Sequence, residues 1–137
     1  MSILAIDYGK KRIGLAVTST FIPTPLEPII VKNLESVLLE ISKIIKEHEA
    51  SEIVVGLPLN MDGTESEMTK EVRTFASEIE SYFGLKINFI NEQLTSREAT
   101  EKLAITEKDW KKRKKKLDSA SACIILESYL SKKNDKK

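Results

Sequence analysis

The sequence predicts an α/β fold built on a five-stranded mixed sheet flanked by helices, and three observations lead there. Three β-rich runs follow one another within the first thirty-one residues, joined by short connections, and consecutive strands so joined pair antiparallel. From residue 35 onward strand-like and helix-like stretches alternate, the pattern of parallel strands with crossover helices. The chain has 137 residues, 41% apolar and 31% charged, which suits a single globular domain over 1–137 with a core large enough to need neither disulfides nor structural metal.

Each element has its own local reason. Ser2–Asp7 (SILAID) is an apolar run ending in an acid, and Arg12–Ser19 (RIGLAVTS) is a second β-rich run. Tyr8-Gly9-Lys10-Lys11 between them suits a hairpin, with Gly9 able to take positive φ. Leu26–Val31 reads as a third strand, entered through Pro23 and Pro25. Glu35–Glu49 carries Val37, Leu38, Ile41, Ile44 and Ile45 on one helical face, with Asn33 as a cap. Glu52–Gly56 is a buried strand stopped by Gly56 and Pro58, followed by a loop over Leu59–Gly63. Thr64 with Glu67 forms a capping box that opens a helix over Glu65–Phe83, and Gly84 follows as its left-handed terminator. Lys86–Ile90 is the fifth strand. Thr95 with Glu98 is a second capping box for a helix toward Ala104, and Leu117–Leu130 is a last, mostly buried helix.

Residue counts remove several chemistries. Cys123 is the only cysteine, so intramolecular disulfides and cysteine-cluster zinc sites are out, and its apolar surroundings from Ala120 to Leu126 suit an inert thiol. His48 is the only histidine, flanked by Glu47 and Glu49 near a helix end, and is expected to be solvated. A Cys123–His48 pair has no local signature, so any catalysis is expected to run mainly on carboxylates, hydroxyls, Lys or Arg. No run approaches ~18 consecutive apolar residues and the first residues do not resemble a secretory leader, so a soluble, cytoplasmic protein with no membrane partner is expected. The net charge of +1 conceals an asymmetry. Residues 1–96 hold 9 Lys and Arg against 14 Asp and Glu, a balance of −5, whereas residues 97–137 hold 13 against 7, a balance of +6. A basic third on an acidic body hints at nucleic acid or another anionic surface.

Three acids occupy comparable places: Asp7 ends the first strand, Glu92 follows the last, and Asp118 opens the final helix. Ligands of open α/β sheets gather beyond the carboxyl ends of strands. If the first and last strands are neighbours, Asp7 and Glu92 face one cavity. Carboxylates brought together need a cation, and Mg²⁺ is hard, prefers oxygen and keeps waters that a phosphate can replace. A pair of such ions ~3.5–4 Å apart activates water and stabilises the leaving oxygen of a phosphodiester, chemistry that needs neither His nor Cys. Taken singly, the acids have plainer explanations: a turn residue at Asp7, an N-cap at Asp118, a solvated loop at Glu92.

The run Asp7-Tyr8-Gly9-Lys10-Lys11-Arg12-Ile13-Gly14 resembles the opening signature of the YqgF (RuvX) family of bacterial ribonuclease H-like proteins. Val55-Gly56-Leu57-Pro58-Leu59-Asn60-Met61-Asp62-Gly63-Thr64 is similar to that family's second signature. Asn91-Glu92-Gln93-Leu94-Thr95-Ser96 is similar to its third, and Asp118-Ser119-Ala120-Ser121-Ala122 to its fourth. The four motifs come in family order and span nearly the whole chain. The resemblance implies a ribonuclease H-like fold, with Asp7, Glu92 and Asp118 as catalytic acids and metal ligands for Mg²⁺ or Mn²⁺. It implies an endonuclease maturing the 5′ end of pre-16S ribosomal RNA, or, on an older assignment, a Holliday junction resolvase in DNA recombination and repair. The third motif departs from the family, with Asn91 and Gln93 where Asp and Arg are usual. The acid is kept and the arginine's contact to a phosphate or a neighbouring acid is not. In the fourth, Ser121 replaces a usual alanine.

The nucleic-acid partner, precursor ribosomal RNA or a DNA junction, is expected to meet two sets of residues. Lys111, Lys112, Arg113, Lys114, Lys115 and Lys116 form six consecutive cations just ahead of Asp118, the basic segment 111–116. A solvated charge run is the plain alternative. Lys10, Lys11 and Arg12 flank Asp7 and add to a positive rim, while Asn60 and its loop are expected near substrate. Trp110 suits either base stacking or the core. Symmetric cutting of a four-way junction requires a two-fold dimer, ribosomal RNA cleavage does not, so monomer and dimer both remain open. A non-catalytic RNA- or ribosome-binding module that keeps the fold is a further alternative, to which Asn91 and Gln93 lend some footing.

Overall fold

The computed structural model describes residues 2–19, 22–60, 62–91 and 121–132. Within them lie β1 (Ser2–Asp7), β2 (Arg12–Thr18), β3 (Thr24–Ile30), α1 (Leu34–His48), β4 (Ala50–Leu57), α2 (Glu67–Phe83) and β5 (Ile87–Asn91), and residues 121–132 are helical. The strands form one five-stranded sheet in the order β3-β2-β1-β4-β5. β1–β2 and β2–β3 are antiparallel, β1–β4 and β4–β5 parallel, the expected mixed sheet.

Alternation along the strands sorts side chains onto two faces. Leu4, Ile6, Ile13, Leu15, Ile53 and Val55 point to one face, where Val37 and Ile41 of α1 and Val72, Phe75, Ala76 and Ile79 of α2 cover them. Ala5, Ala16, Val54 and Ile90 point to the other, and Ala122, Ile125 and Leu126 of the C-terminal helix cover those. The central strands are thus apolar on both faces, as strands sandwiched between helical layers must be.

Several boundaries move for identifiable reasons. β3 takes in Pro25 and Pro28, which an outer strand tolerates because one side of its backbone has no ladder partner to satisfy. α1 starts at Leu34 with Asn33 as cap, its side chain accepting the Ser36 amide at 2.8 Å, and closes on Glu49 at φ 53°. α2 starts two residues later than the Thr64–Glu67 pattern implies. Its N-cap is Ser66 and the reciprocal box is Ser66 with Thr69: the Ser66 amide donates to Thr69 Oγ1 at 2.9 Å, and the Thr69 amide to Ser66 Oγ at 3.2 Å. Gly84 ends α2 at φ 66°, as expected. The helix from Thr95, with its Thr95–Glu98 box, and Trp110 lie outside the described residues. Among the described residues no helix is long and apolar enough to cross a membrane.

Candidate active site at the carboxyl edge of the sheet

Asp7 is the last residue of the central strand β1 and is half-buried. It shares a face with Ala5, the face covered by the helix at 121–132. Across β2 it pairs with Gly14. On the β4 side Gly56 stands one residue beyond the Ile6↔Val55 pair, as Asp7 does, and Gly56 in turn pairs with Ile90 of β5. The row Gly14–Asp7–Gly56 therefore carries one side chain, a carboxylate with only backbone on either flank.

The topology corrects one premise. β1 and β5 are not adjacent, because β4 lies between them. With strands ~4.8 Å apart, their ends are separated by two spacings, ~10 Å. Glu92 follows Asn91, the last residue of β5, and like Asp118 and the run Lys111–Lys116 it lies outside the described residues. Among the described residues no group of three His, Cys, Asp or Glu is arranged to hold a metal ion, and Asp7 is the one expected ligand they contain. Its hard oxygen donors and glycine-flanked position fit Mg²⁺ or Mn²⁺.

The β1–β2 connection holds the cations nearest Asp7 in sequence. Gly9 is needed there for closeness rather than for positive φ, a correction to the expectation: a Cβ on it would collide with the Arg12 carbonyl oxygen. The Tyr8 ring packs on Phe75 of α2, centroids 4.7 Å apart. Lys10 is exposed and ion-paired to Glu71 of α2 at 3.5 Å. Such exposed pairs contribute ~0–1 kcal/mol and exchange readily for another anion. Lys11 is exposed, its carbonyl accepting the Val31 amide at 2.9 Å, and Arg12 opens β2, half-buried, opposite Ile30.

The loop after β4 is braced internally. Asn60 donates its amide to the Thr64 carbonyl and its Nδ2 to Thr64 Oγ1, both at 2.9 Å, and its own carbonyl accepts the Gly63 amide at 2.8 Å. Gly63 needs its φ of 87° for this turn. Asp62 Oδ1 accepts the Thr64 hydroxyl at 2.6 Å and the Thr64 amide at 3.0 Å, and these bonds hold its pKa below the ordinary 3.8. The loop is tied to α2 through the buried Thr69, whose hydroxyl donates to the Pro58 carbonyl, and through a two-pronged Arg73–Glu65 pair at 2.9 and 3.2 Å. The Arg73 guanidinium also lies 5.6 Å over the Phe89 ring. Asn60 is exposed but its side chain is engaged in shaping the loop. Asp62 lies within the second motif, whereas nothing in that motif marks Thr69 or Arg73. The Ser66-x-x-Thr69 box was the available signal, and the Thr64-x-x-Glu67 match, closer to the common form, hid it.

Residues 1–132 match the family model described as RuvX, Holliday junction resolvase. The chain belongs to the RuvX family. A relative from Alcanivorax borkumensis, named as a candidate pre-16S rRNA nuclease, is 40% identical over 131 residues, covering 94% of this chain and 95% of that one. One of the same name from Cronobacter sakazakii is 40% identical over 130 residues, 93% and 94% of the two chains. Among solved structures, Thermus thermophilus RuvC in complex with a Holliday junction substrate superposes with a TM-score of 0.60 over 97% of this chain and 96% of its own, at 11% identity. That likeness concerns the fold, and it gives the ribonuclease H-like architecture. RuvX is a nuclease family, and this RuvX member carries the acid of the first motif at the carboxyl end of its central strand.

Proposed function

We propose that this RuvX-family chain is a divalent-metal-dependent endonuclease that hydrolyses phosphodiesters in structured RNA, in maturation of the 5′ end of pre-16S ribosomal RNA. The observation carrying the reading is Asp7, a half-buried carboxylate with glycines beside it on β2 and β4, at the carboxyl edge of a ribonuclease H-like sheet. Asp7, Glu92 and Asp118 would hold Mg²⁺ or Mn²⁺. When bound, the ion supplies Lewis acidity for attack of water on the phosphodiester. The chain's own residues do the rest. The carboxylates hold the charge that attracts the ion. Lys10, Lys11, Arg12 and the run Lys111–Lys116 attract the phosphates that carboxylates alone would repel. The braced loop around Asn60 shapes the rim beyond β4. The reading includes a single domain over 1–137 and a cytoplasmic site of action.

Asp7→Asn tests it. With Mg²⁺ or Mn²⁺ and precursor 16S ribosomal RNA, cleavage should fall by at least ~10²-fold, since even loss of a residue that merely orients a metal ligand costs ~10–100-fold. The circular dichroism and Tm should stay those of the wild type. Wild-type cleavage by the variant would remove Asp7 from the site. The family description and the fold shared with RuvC favour one second reading, a four-way DNA junction as substrate. Cleavage of a junction in preference to precursor RNA, by a two-fold dimer, would establish that reading instead.

A further inference from the structure

Beside β3, at the end of the sheet away from β5, lies a cleft that the nuclease reading leaves unused. It measures about 570 Å³ and is bounded by β3 and α1. Ile29 and Ile44 contribute apolar surface, and three glutamates line it: Glu27 from β3, Glu40 and Glu47 from α1. All three are exposed. Among the described residues Glu27 and Glu47 have no ion-pair partner, and Glu40 meets only the exposed Lys43, at 3.5 Å. Lys32 is the one lysine or arginine among the residues that line the cleft. Three carboxylates therefore face one ammonium there.

The backbone beside the cleft suits an extended occupant. Among the described residues β3 ends the sheet on this side. The Val31 amide donates inward, to the Lys11 carbonyl at 2.9 Å, so strand alternation turns the amide and carbonyl of Ile30 outward. An outer strand accepts a peptide as an added strand, with backbone bonds giving affinity and alternate side chains giving specificity. Pro28 has no amide to offer, so the pairing is short and side chains carry most of the selectivity. Ser36 precedes Glu47 by eleven residues, ~16 Å of helix, the length of about five extended residues. We propose that this cleft docks an extended segment of a partner protein that carries several lysines or arginines among apolar residues, its cations set against Glu27, Glu40 and Glu47. Nucleic acid has the wrong sign for it, because phosphates would meet three carboxylates. Asp7 shares the opposite face of the sheet with Ala5. An occupant of the cleft therefore holds the chain on a cation-rich partner without covering that carboxylate.

Binding to the full chain is tested with an alternating lysine–valine peptide and, beside it, an alternating glutamate–valine peptide of equal length. Followed by nuclear magnetic resonance, the cationic peptide should shift the amides of β3 and of α1 from Ser36 to Glu47. It should leave those of α2 in place, and the anionic peptide should shift none of them. Glu27→Gln, Glu40→Gln and Glu47→Gln together should weaken the binding about tenfold, the sum of three exposed pairs. Raising the salt should weaken it for the wild type. Glu67→Gln, Glu78→Gln and Glu80→Gln remove equal charge from α2, away from the cleft, and should leave the affinity within about twofold. An equal loss in both triple variants overturns the docking surface, since overall charge would then be the cause. So do shifts with both peptides, or none with the cationic one. Single-stranded RNA that shifts the β3 and α1 amides overturns it in favour of a nucleic-acid surface.

Discussion

Asp62 is the described residue whose ionisation is most plainly tied to local structure. Its carboxylate accepts the Thr64 hydroxyl and amide, and both bonds favour the charged form. The folded pKa is thus depressed, so this contribution is present above the ordinary 3.8 and is lost as pH falls through the lower folded value. A carboxyl-carbon NMR titration should place the Asp62 midpoint below 3.8, and Thr64→Val should bring it part of the way back, because the hydroxyl bond is the larger cause. A midpoint unmoved by the substitution would mean that the loop closes some other way. At this scale the sequence showed which residue types form turns but not their partners. Gly9 is the instructive case: its glycine character is visible in the sequence, whereas the Arg12 carbonyl that demands it is visible only once the turn is built.

At the scale of the element, α2 shows how two similar local signals compete. Thr64-x-x-Glu67 and Ser66-x-x-Thr69 both read as capping boxes. The second wins because Thr69 points inward, fully buried, with the Pro58 carbonyl ready to accept its hydroxyl, while Glu67 projects into solvent with its side chain 95% exposed. Ser66→Ala should therefore lower stability by ~1 kcal/mol in urea denaturation. Glu67→Ala should cost less, since it gives up a first-turn charge on the helix dipole and an exposed ion pair with Lys70, each a small contribution. The reverse order would restore the earlier start. Strands were legible to within a residue or two because apolar runs of this length have few other uses. Order within the sheet was less so, since sequence proximity does not say that β4 inserts between β1 and β5.

At the scale of the whole molecule, charge is partitioned. The acidic first 96 residues include Asp7 and Glu92, and the last 41 hold the run Lys111–Lys116 immediately ahead of Asp118. If all six cations of the run engage phosphates of a duplex, log K for substrate binding should fall with log[salt] at a slope of about −5, and at a shallower slope for single strands. Lys112→Gln and Lys114→Gln together should reduce that slope by about two. A slope unaffected by the double substitution would make the run a solvated surface feature.

The sequence by itself determined the mixed α/β architecture, the exclusion of intramolecular disulfides and cysteine-cluster zinc sites, and the family, since apolar periodicity, residue counts and four ordered motifs are properties of the chain. The glycine-flanked row around Asp7, the strand between β1 and β5, and the Glu52–Asn88–Tyr129 contact were decided only by tertiary structure. Each depends on lateral pairing or on contact between residues far apart in the chain. Glu52 and Tyr129 are 77 positions apart, and no local pattern records which distant partner a side chain will meet.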